Sequence, residues 1–346
     1  MTLIAPTWTA DSLYEKLKGI AIESPGCKYT LERCRTLVPT INRILELKAQ
    51  KNAVILAHTY VHPDILYTVA DYVGDSYGLA KQAMATEATT IVFPAVRFMA
   101  ETAKILSPQK TVLDPNRNGG CSLADSITAQ DAHALRKQYP DHTFVCYINT
   151  TAAVKAACDV CVTSSNVYKI MAAIPNNNIY FLPDKLMGEN VRKYLEAQGI
   201  RKNIVLYDGT CYVHEEFDAE HIAFVRENYP NATILVHPEC KPSVVEKADV
   251  VGSTTVMVDY VKAHAHEKKP FMLVTECGVT ARLQVELPEA RIVGNCIMCR
   301  YMKSNSLEDI ARVLSAPKPE EIVELSDEVT KGAQMCLEAM FYYAER

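Results

Sequence analysis

Three cysteines recur at nearly constant spacing and give the clearest chemical signal in the sequence. Cys121, Cys211 and Cys299 lie about 90 residues apart, and each has glycine nearby. Three thiolates that meet at one point would bind a metal. Structural zinc takes four protein ligands, whereas a 4Fe–4S cluster with three cysteines keeps one iron open as a Lewis acid. The alternative is three buried cysteines inherited from a duplicated unit.

A fourth cysteine, Cys296, forms a C-x-x-C pattern with Cys299. This spacing alone fits half a zinc site, a redox pair, a disulfide or one cysteine of a larger site. Because Cys299 is in register with the cysteines of the other two repeats, we interpret Cys296 as additional. We hypothesise that a Cys296–Cys299 disulfide would disable the site under oxidation.

Polar side chains also recur where the first predicted strand of each repeat ends. Imidazole, phenol and carboxylate are the usual proton-transfer groups, and they are prominent in this set. Its members are His58, Tyr60, Tyr147, Asn149, His237 and Glu239. Hydroxyls precede a helix in each repeat, at Ser76, Ser164 and Thr254. We expect these hydroxyls to cap helices whose N-termini would together bind carboxylates or a phosphate.

A period of about 89 residues positions these groups. Each repeat begins with a continuous apolar run rich in Val and Ile, which is typical of a buried parallel strand. These runs cover 52–60, 143–151 and 232–240. Strand and helix then alternate, which predicts parallel βαβ units.

The predicted fold is α/β, with three homologous αβα domains whose short parallel sheets form a pseudo-threefold ring around a central site. Ligands of open α/β sheets bind beyond the carboxyl ends of the strands, where the cysteine loops lie. The predicted domain ranges are an N-terminal helical extension (1–40), three repeats (41–130, 131–220 and 221–310) and a C-terminal helical segment (311–346).

Composition limits the possible partners. The net charge of −5 gives no basic surface for nucleic acid. We find no long apolar run and no signal-peptide pattern, so we expect a soluble cytoplasmic protein without a membrane partner. In a reducing compartment most of the twelve cysteines are expected to be packing residues. Examples are Cys146, Cys158 and Cys161.

On the basis of these residues and the motifs around them, the chain resembles quinolinate synthase, the iron–sulfur enzyme family of de novo NAD biosynthesis. The resemblance covers roughly residues 50–305. Its motifs are AHTY…PDI (57–65), GDS (74–76), VRFMAETAKILSP (96–108), GCSLAD (120–125), NTTAAVKA (149–156), TSSN (163–166), PDKLMG (183–188), VHEEF (213–217), HPE (237–239), GST (252–254) and TECG (275–278).

The resemblance implies a transferase that condenses iminoaspartate with dihydroxyacetone phosphate to quinolinate, with loss of phosphate and two waters. It implies a 4Fe–4S cluster on Cys121, Cys211 and Cys299, and a functional link to an enzyme that supplies iminoaspartate. It implies Glu239 as a general base, with Tyr60 and His58 moving protons. The substrate-binding residues it implies are His58, Tyr60, Ser76, Tyr147, Asn149, Ser164, His237, Glu239, Ser253 and Thr254.

Other functions remain open on sequence grounds. An iron–sulfur hydro-lyase could use the same open iron on a different small polyanion. A redox or iron sensor would hold a labile cluster without catalysis, and a structural zinc protein would hold zinc. Neither the sensor nor the zinc protein needs the proton-transfer groups at the three strand ends. Those groups favour an enzyme.

Overall fold

Three short parallel sheets form the framework of the protein. The computed structural model describes residues 7–116 and 118–346, without the side chain of Pro25. The first six residues of the predicted N-terminal extension therefore lie outside the described residues. Each sheet has four strands in the same spatial order. The second strand lies at one edge beside the first, and the third and then the fourth strand follow on the other side of the first. The predicted α/β class with three homologous sheets is confirmed.

The first strand of each sheet lies within one of the three predicted apolar runs. The first sheet contains β1 (Ala53–His58), β2 (Tyr72–Gly74), β3 (Thr90–Val92) and β4 (Thr111–Leu113). The second contains β5 (Thr143–Tyr147), β6 (Val160–Val162), β7 (Asn178–Leu182) and β8 (Asn203–Leu206). The third contains β9 (Thr233–Val236), β10 (Val250–Val251), β11 (Phe271–Val274) and β12 (Ile292–Val293). The predicted domain boundaries themselves stay a prediction.

Sixteen α-helices are described, and most connect consecutive strands. The N-terminal part contains α1 (Ala10–Leu17) and α2 (Leu31–Gln50), which spans the predicted boundary at residue 40. The first repeat contains α3 (Pro63–Thr68), α4 (Ser76–Ala85) and α5 (Arg97–Leu106). The second contains α6 (Ala129–Gln138), α7 (Ala152–Ala156), α8 (Val167–Ala173), α9 (Lys185–Ala197) and α10 (Tyr212–Glu215). The third contains α11 (Ala219–Asn228), α12 (Pro242–Val245), α13 (Thr254–His264) and α14 (Cys277–Glu286), and α15 (Leu307–Ser315) and α16 (Asp327–Ala344) follow it.

A repeated aspartate fastens the second strand of each sheet to the first. In the first sheet, the Asp71 carboxylate accepts the Ile55 backbone N–H at 2.8 Å, and the Asp71 N–H donates to the Ile55 carbonyl at 2.9 Å. Asp159 and Asp249 make the same pair of bonds in the other two sheets. This periodic aspartate therefore has a structural role, because it satisfies backbone groups where the short strands begin.

Apolar packing joins these layers. The largest core cluster extends from α1 and α2 through the first two sheets to α16. Two smaller clusters cover the two faces of the third sheet. Seven free cysteines are buried, including the predicted packing residues Cys146, Cys158 and Cys161. Within the described ranges, no helix is both long and apolar enough to cross a membrane.

Candidate active site

The loops that carry the three periodic cysteines contact one another. Cys211 precedes α10, and the next residue, Tyr212, accepts the backbone N–H of Arg300 on its phenol oxygen at 2.7 Å. The Tyr301 ring lies against Gly120, where an added Cβ would be 3.4 Å from the ring. These contacts bring the flanks of Cys121, Cys211 and Cys299 to one region, and all three residues are partly buried and free of disulfide bonds.

The thiols are close enough to affect one another electrostatically. Burial raises the pKa of Cys121 to about 12, and the charge of Cys299 also raises it. Burial, Glu239 and then Cys121 raise the pKa of Cys211 well above its usual range. Thiols in such surroundings ionise only if a cation compensates their charge, and a metal would do so. The donor set therefore suits a metal centre.

Glycine permits the close approach that the Cys211 loop requires. A Cβ added to Gly209 would lie 2.7 Å from the Pro183 carbonyl oxygen and 2.6 Å from the Ser126 hydroxyl. The Gly209 N–H also donates to that carbonyl at 3.1 Å. The loop after β8 thus lies directly on the end of β7, a close approach that the absence of a Cβ at Gly209 permits.

Helix α14 fastens the loop that carries Cys299. The buried Glu276 carboxylate accepts the Cys299 backbone N–H at 3.2 Å and pairs with Lys303 at 2.9 Å. Cys277 forms a disulfide with Cys296, with their Cα atoms 4.9 Å apart. The hypothesised Cys296–Cys299 disulfide is therefore wrong for this structure. Cys277 also donates its backbone N–H to the Ile297 carbonyl at 3.1 Å, so the backbone places Cys296 beside Cys277. Cys299 is a free thiol.

Glu239 is at the centre of the proton-transfer groups. Its Oε1 accepts the Tyr147 hydroxyl at 2.5 Å, and its Oε2 lies 3.2 Å from His214 Nδ1. The Cys211, His214 and Glu239 ligand atoms lie within 4.8 Å of one another, a spacing that could hold a metal ion. The second and third sheets thus place a carboxylate, an imidazole and a phenol next to a cysteine. All three of these side chains are buried.

Burial and neighbouring charges shift the pKa values of this group. Burial would raise the pKa of Glu239, but His214, His237 and the Tyr147 hydroxyl outweigh it and hold the pKa at about 2. Burial, followed by the charge of His214, lowers the pKa of His237 to about 3. Burial also lowers the pKa of His58 to about 4. Near neutral pH, Glu239 is therefore ionised, while His58 and His237 are neutral.

Two polar residues of this group were not predicted as site residues. His214 is buried, its ring stacks on that of His237 at 4.4 Å, and its Nε2 lies 3.0 Å from the Thr275 hydroxyl. Thr275 in turn lies 2.8 Å from the Tyr60 phenol oxygen. His214 follows Cys211 by three residues, so the helical spacing could have indicated that it points to the same region.

The Asp75 carboxylate accepts hydrogen bonds from hydroxyls of the other two repeats. One carboxylate oxygen accepts hydrogen bonds from the hydroxyls of Ser165 and Thr255 at 2.8 Å each and of Ser253 at 3.3 Å, and the other accepts the Gly78 N–H.

The expectation that Ser76, Ser164 and Thr254 cap helices is wrong. The caps are Asp75, Asn166 and Ser253, because Ser76 and Thr254 are already the first residues of α4 and α13 and Ser164 lies in the preceding turn.

Two further sequence candidates, Tyr60 and Asn149, lie at the ends of first strands. Tyr60 follows β1, and its ring meets the His58 ring edge-on at 4.5 Å. Asn149 follows β5 and is half-buried. Two cations lie in the motifs VRFMAETAKILSP and PDKLMG: Arg97 pairs with Asp114 at 3.2 Å, and Lys185 pairs with Asp208 at 2.8 Å. Both cations therefore have structural partners.

A glycine between α14 and β1 offers a test of this packing. A Cβ on Gly278 would lie 2.4 Å from the Thr59 carbonyl oxygen and 2.7 Å from the Tyr60 Cα. We expect Gly278→Ala to lower the free energy of unfolding by about 1–3 kcal/mol, since the backbone must shift to admit the methyl group. Urea unfolding would measure it. Gly19→Ala is the control, because its nearest neighbour would be 3.7 Å away; equal stability of the two variants would contradict the packing argument.

Buried neutral histidines predict a pH dependence of stability. Their folded-state pKa values, about 4 for His58 and about 3 for His237, lie below the unfolded value of 6.5. The unfolded state therefore binds more protons as pH falls below 6.5, and the stability present above that pH is progressively lost. We expect a loss of about 3 kcal/mol or less per histidine between pH 7 and pH 4, measured by thermal unfolding. His58→Gln should show a shallower loss, and an unchanged slope would contradict the assignment.

Comparison with known proteins identifies the family. The family model described as quinolinate synthetase A protein matches residues 42–342. The chain belongs to the quinolinate synthetase A protein family. Quinolinate synthase 2 of Mesorhizobium japonicum is 41% identical over 326 residues, which is 91% of this chain and 98% of that protein. Quinolinate synthase of Xylella fastidiosa is 45% identical over 284 residues, or 82% of each chain. Quinolinate synthase of Caldicellulosiruptor bescii is 42% identical over 301 residues, which is 86% of this chain and 96% of that protein.

Proposed function

We propose that this chain is an enzyme of NAD biosynthesis that condenses iminoaspartate with dihydroxyacetone phosphate to give quinolinate, phosphate and two waters. Its membership of the quinolinate synthetase A family and the names of its relatives support this function. The same comparisons do not favour the hydro-lyase and sensor alternatives. The single observation that best supports catalysis is the ionised Glu239 carboxylate, which is bonded to Tyr147 and His214 beside Cys211.

The cysteines are the proposed ligands of an iron–sulfur cluster. Each repeat contributes one of these ligands, which are Cys121, Cys211 and Cys299. The charge of Cys299 raises the pKa of Cys121, and the charge of Cys121 raises the pKa of Cys211. A cation bound by all three thiolates would offset this repulsion. When bound, a 4Fe–4S cluster with these three ligands would supply a Lewis-acidic iron beside the substrate. Glu276 supports this arrangement because it fixes the backbone of Cys299.

The acid–base steps are assigned to residues at the strand ends. Glu239 is the proposed general base, since a carboxylate that is ionised at neutral pH can accept a proton from a substrate carbon or nitrogen. Tyr60 and neutral His58 would move protons near the carbons derived from dihydroxyacetone phosphate. His237, also neutral, would hydrogen-bond a substrate carboxylate or oxygen.

Substrate anions would be held by uncharged donors. The proposed set comprises Tyr147 and the polar residues Ser76, Asn149, Ser164, Ser253 and Thr254. Ser253 and Thr254 are buried at the start of α13, where backbone N–H groups add positive potential. Ser253 donates its one hydroxyl hydrogen to Asp75 in the substrate-free protein, so it would donate to a substrate anion by exchanging that bond at the junction of the first and third repeats. Hydroxyl and amide donors suit two carboxylates and a phosphate without fixing the product too tightly.

Turnover by the anaerobically purified, iron-loaded protein tests the proposal. The protein would receive dihydroxyacetone phosphate and iminoaspartate generated in place from oxaloacetate and ammonia, and quinolinate would be measured by mass spectrometry. Reactions that lack either substrate are the controls. We expect quinolinate only in the complete mixture. Protein that carries about four irons per chain yet forms no quinolinate would contradict the proposed function.

A further inference from the structure

Two tyrosines and an arginine form a cluster between the cysteine loops. Tyr212 follows Cys211 in the chain, and Arg300 and Tyr301 follow Cys299. The two phenol rings meet edge-on with their centres 6.3 Å apart. The Arg300 guanidinium lies over both rings, 5.5 Å from the centre of Tyr212 and 4.9 Å from that of Tyr301, which is the geometry of a cation–π contact. We call Tyr212, Arg300 and Tyr301 the cap.

Tyr212 connects two of the cysteine loops. Its phenol oxygen accepts the Arg300 backbone N–H at 2.7 Å and donates to the Met298 carbonyl at 3.4 Å. These two backbone groups lie on either side of Cys299, so the phenol lies beside that thiol. Burial raises the pKa of Cys299, and a hydrogen bond with the Tyr212 hydroxyl is one of the contacts that partly offset this rise.

Tyr301 and Arg300 extend the cap to the third loop and to the surface. The Tyr301 ring packs against Gly120, the neighbour of Cys121, where an added Cβ would be 3.4 Å from the ring. The Arg300 guanidinium donates to the Tyr301 hydroxyl at 3.0 Å. Arg300 is exposed, whereas both tyrosines are partly buried. One side of the cap therefore faces solvent, and the other contacts the loops that carry the three cysteines.

The Tyr212 hydroxyl has a single hydrogen to donate. Its bond to the Met298 carbonyl is long at 3.4 Å, whereas bonds between a hydroxyl and an oxygen are usually about 2.7–2.8 Å. A metal-bound Cys299 would be a thiolate, and hydrogen bonds to charged acceptors are the stronger ones. We therefore expect the hydroxyl to donate to the Cys299 sulfur when a metal is bound.

We propose that the cap closes the solvent side of the metal centre and slows the loss of iron, with Tyr212 as the hydrogen-bond donor to the Cys299 sulfur. This inference rests on the cysteine ligands of the proposed function. The cap joins residues adjacent to all three ligands, so the loops must separate before a chelator can reach the metal. Partners that surround metal ligands in this way contribute strongly to metal retention.

The rate of iron release to excess EDTA tests the closure. We expect Arg300→Ala and Tyr212→Ala to release iron about 10-fold faster than the wild type, the effect typical of removing a partner of a metal ligand. Arg291→Ala is the matched control. Its guanidinium also lies over a tyrosine ring, that of Tyr229 at 4.9 Å, but it precedes β12, whereas the cysteine loop follows that strand.

Three results of this experiment would overturn the closure. They are wild-type release rates in both cap variants, equally fast release in Arg291→Ala, and wild-type release combined with a raised KM in Arg300→Ala. The last result would assign Arg300 to substrate entry. Variants that retain no iron but keep the wild-type melting temperature would support the closure, since they show its most severe loss.

The reduction potential of the iron-loaded protein tests the hydrogen bond separately. Tyr212→Phe keeps the ring and its packing but removes the donor. A hydrogen bond to a sulfur ligand stabilises the more negatively charged reduced state, so we expect a more negative potential in Tyr212→Phe. Tyr229→Phe removes a phenol hydroxyl from a ring outside the cap and should leave the potential unchanged. An unchanged potential in Tyr212→Phe would overturn the role of Tyr212 as donor.

Neither measurement requires turnover, so the inference and the proposed function can fail separately. Wild-type protein that holds iron but forms no quinolinate would contradict the function, and iron release would still test the cap. For protein without iron, the test is alkylation of Cys299 by iodoacetamide, mapped by mass spectrometry. Cys299 should react faster in Arg300→Ala than in the wild type or in Arg291→Ala. Equal rates in all three proteins would overturn the inference.

Discussion

Cys211→Ser is expected to remove the bound iron and to lower quinolinate formation by about 10³-fold or more. Cys211 precedes α10 and lies within 4.8 Å of the His214 and Glu239 ligand atoms, so its thiolate would connect the metal centre to the acid–base groups. Loss of a Lewis acid removes several kcal/mol of transition-state stabilisation, and each 1.36 kcal/mol is a factor of ten in rate. Iron, sulfide and activity would be measured on protein purified without oxygen.

The other cysteines supply matched comparisons for this experiment. Cys121→Ser and Cys299→Ser should behave like Cys211→Ser, because each repeat contributes one ligand to the proposed cluster. Cys158→Ala, at a packing cysteine, should keep its iron. Cys296→Ser should also keep it, since Cys296 is bonded to Cys277 and not free to act as a ligand. Iron retained in Cys211→Ser, or lost in Cys296→Ser, would contradict the three-ligand cluster.

Glu239→Gln is expected to lower kcat by about 10² to 10⁴, the usual contribution of a general base. Glutamine keeps the shape of the side chain but cannot accept a proton at neutral pH. The amide of glutamine also has an NH₂ group where the carboxylate has its second oxygen. That NH₂ group would replace the oxygen that now bonds either Tyr147 or His214. Activity at saturating concentrations of both substrates would measure the effect.

The control for Glu239→Gln is an exposed glutamate. Glu246 pairs with Lys193 at the surface, so Glu246→Gln should leave kcat within about twofold. Iron content should be unchanged in both variants, because neither glutamate is a proposed ligand. A Glu239→Gln variant with wild-type kcat would contradict the assignment of Glu239 as the base, and one that loses its iron would indicate a structural role instead.

Periodic features of the chain carried most of the correct sequence predictions. The apolar runs at 52–60, 143–151 and 232–240 became the first strands of three sheets, since a strand buried on both faces must be apolar along its length. The C-terminal helical segment contains α16, which begins at Asp327 after its Ser326 cap. These features are local or repeated, so one sequence displays them without any knowledge of distant contacts.

Local patterns predicted the site less well where helix boundaries mattered. Ser76, Ser164 and Thr254 were expected to cap helices, but the helices begin one residue earlier than expected in two repeats and two residues later in the other. Several residue types can cap a helix, and Asp75, next to Ser76, is one of them. A shift of one residue changes which side chain meets the helix N-terminus.

The sequence by itself determined that three α/β repeats each end in a cysteine, and that polar groups follow their first strands. Only the tertiary structure decided which of these groups touch. The contacts that it decided join different repeats or loops. They are the disulfide of Cys296 with Cys277, the contacts of His214 with Glu239 and Thr275, and the hydrogen bonds of three hydroxyls to Asp75. Such contacts are set by how the three sheets pack against one another, and no periodicity within a single chain segment records that packing.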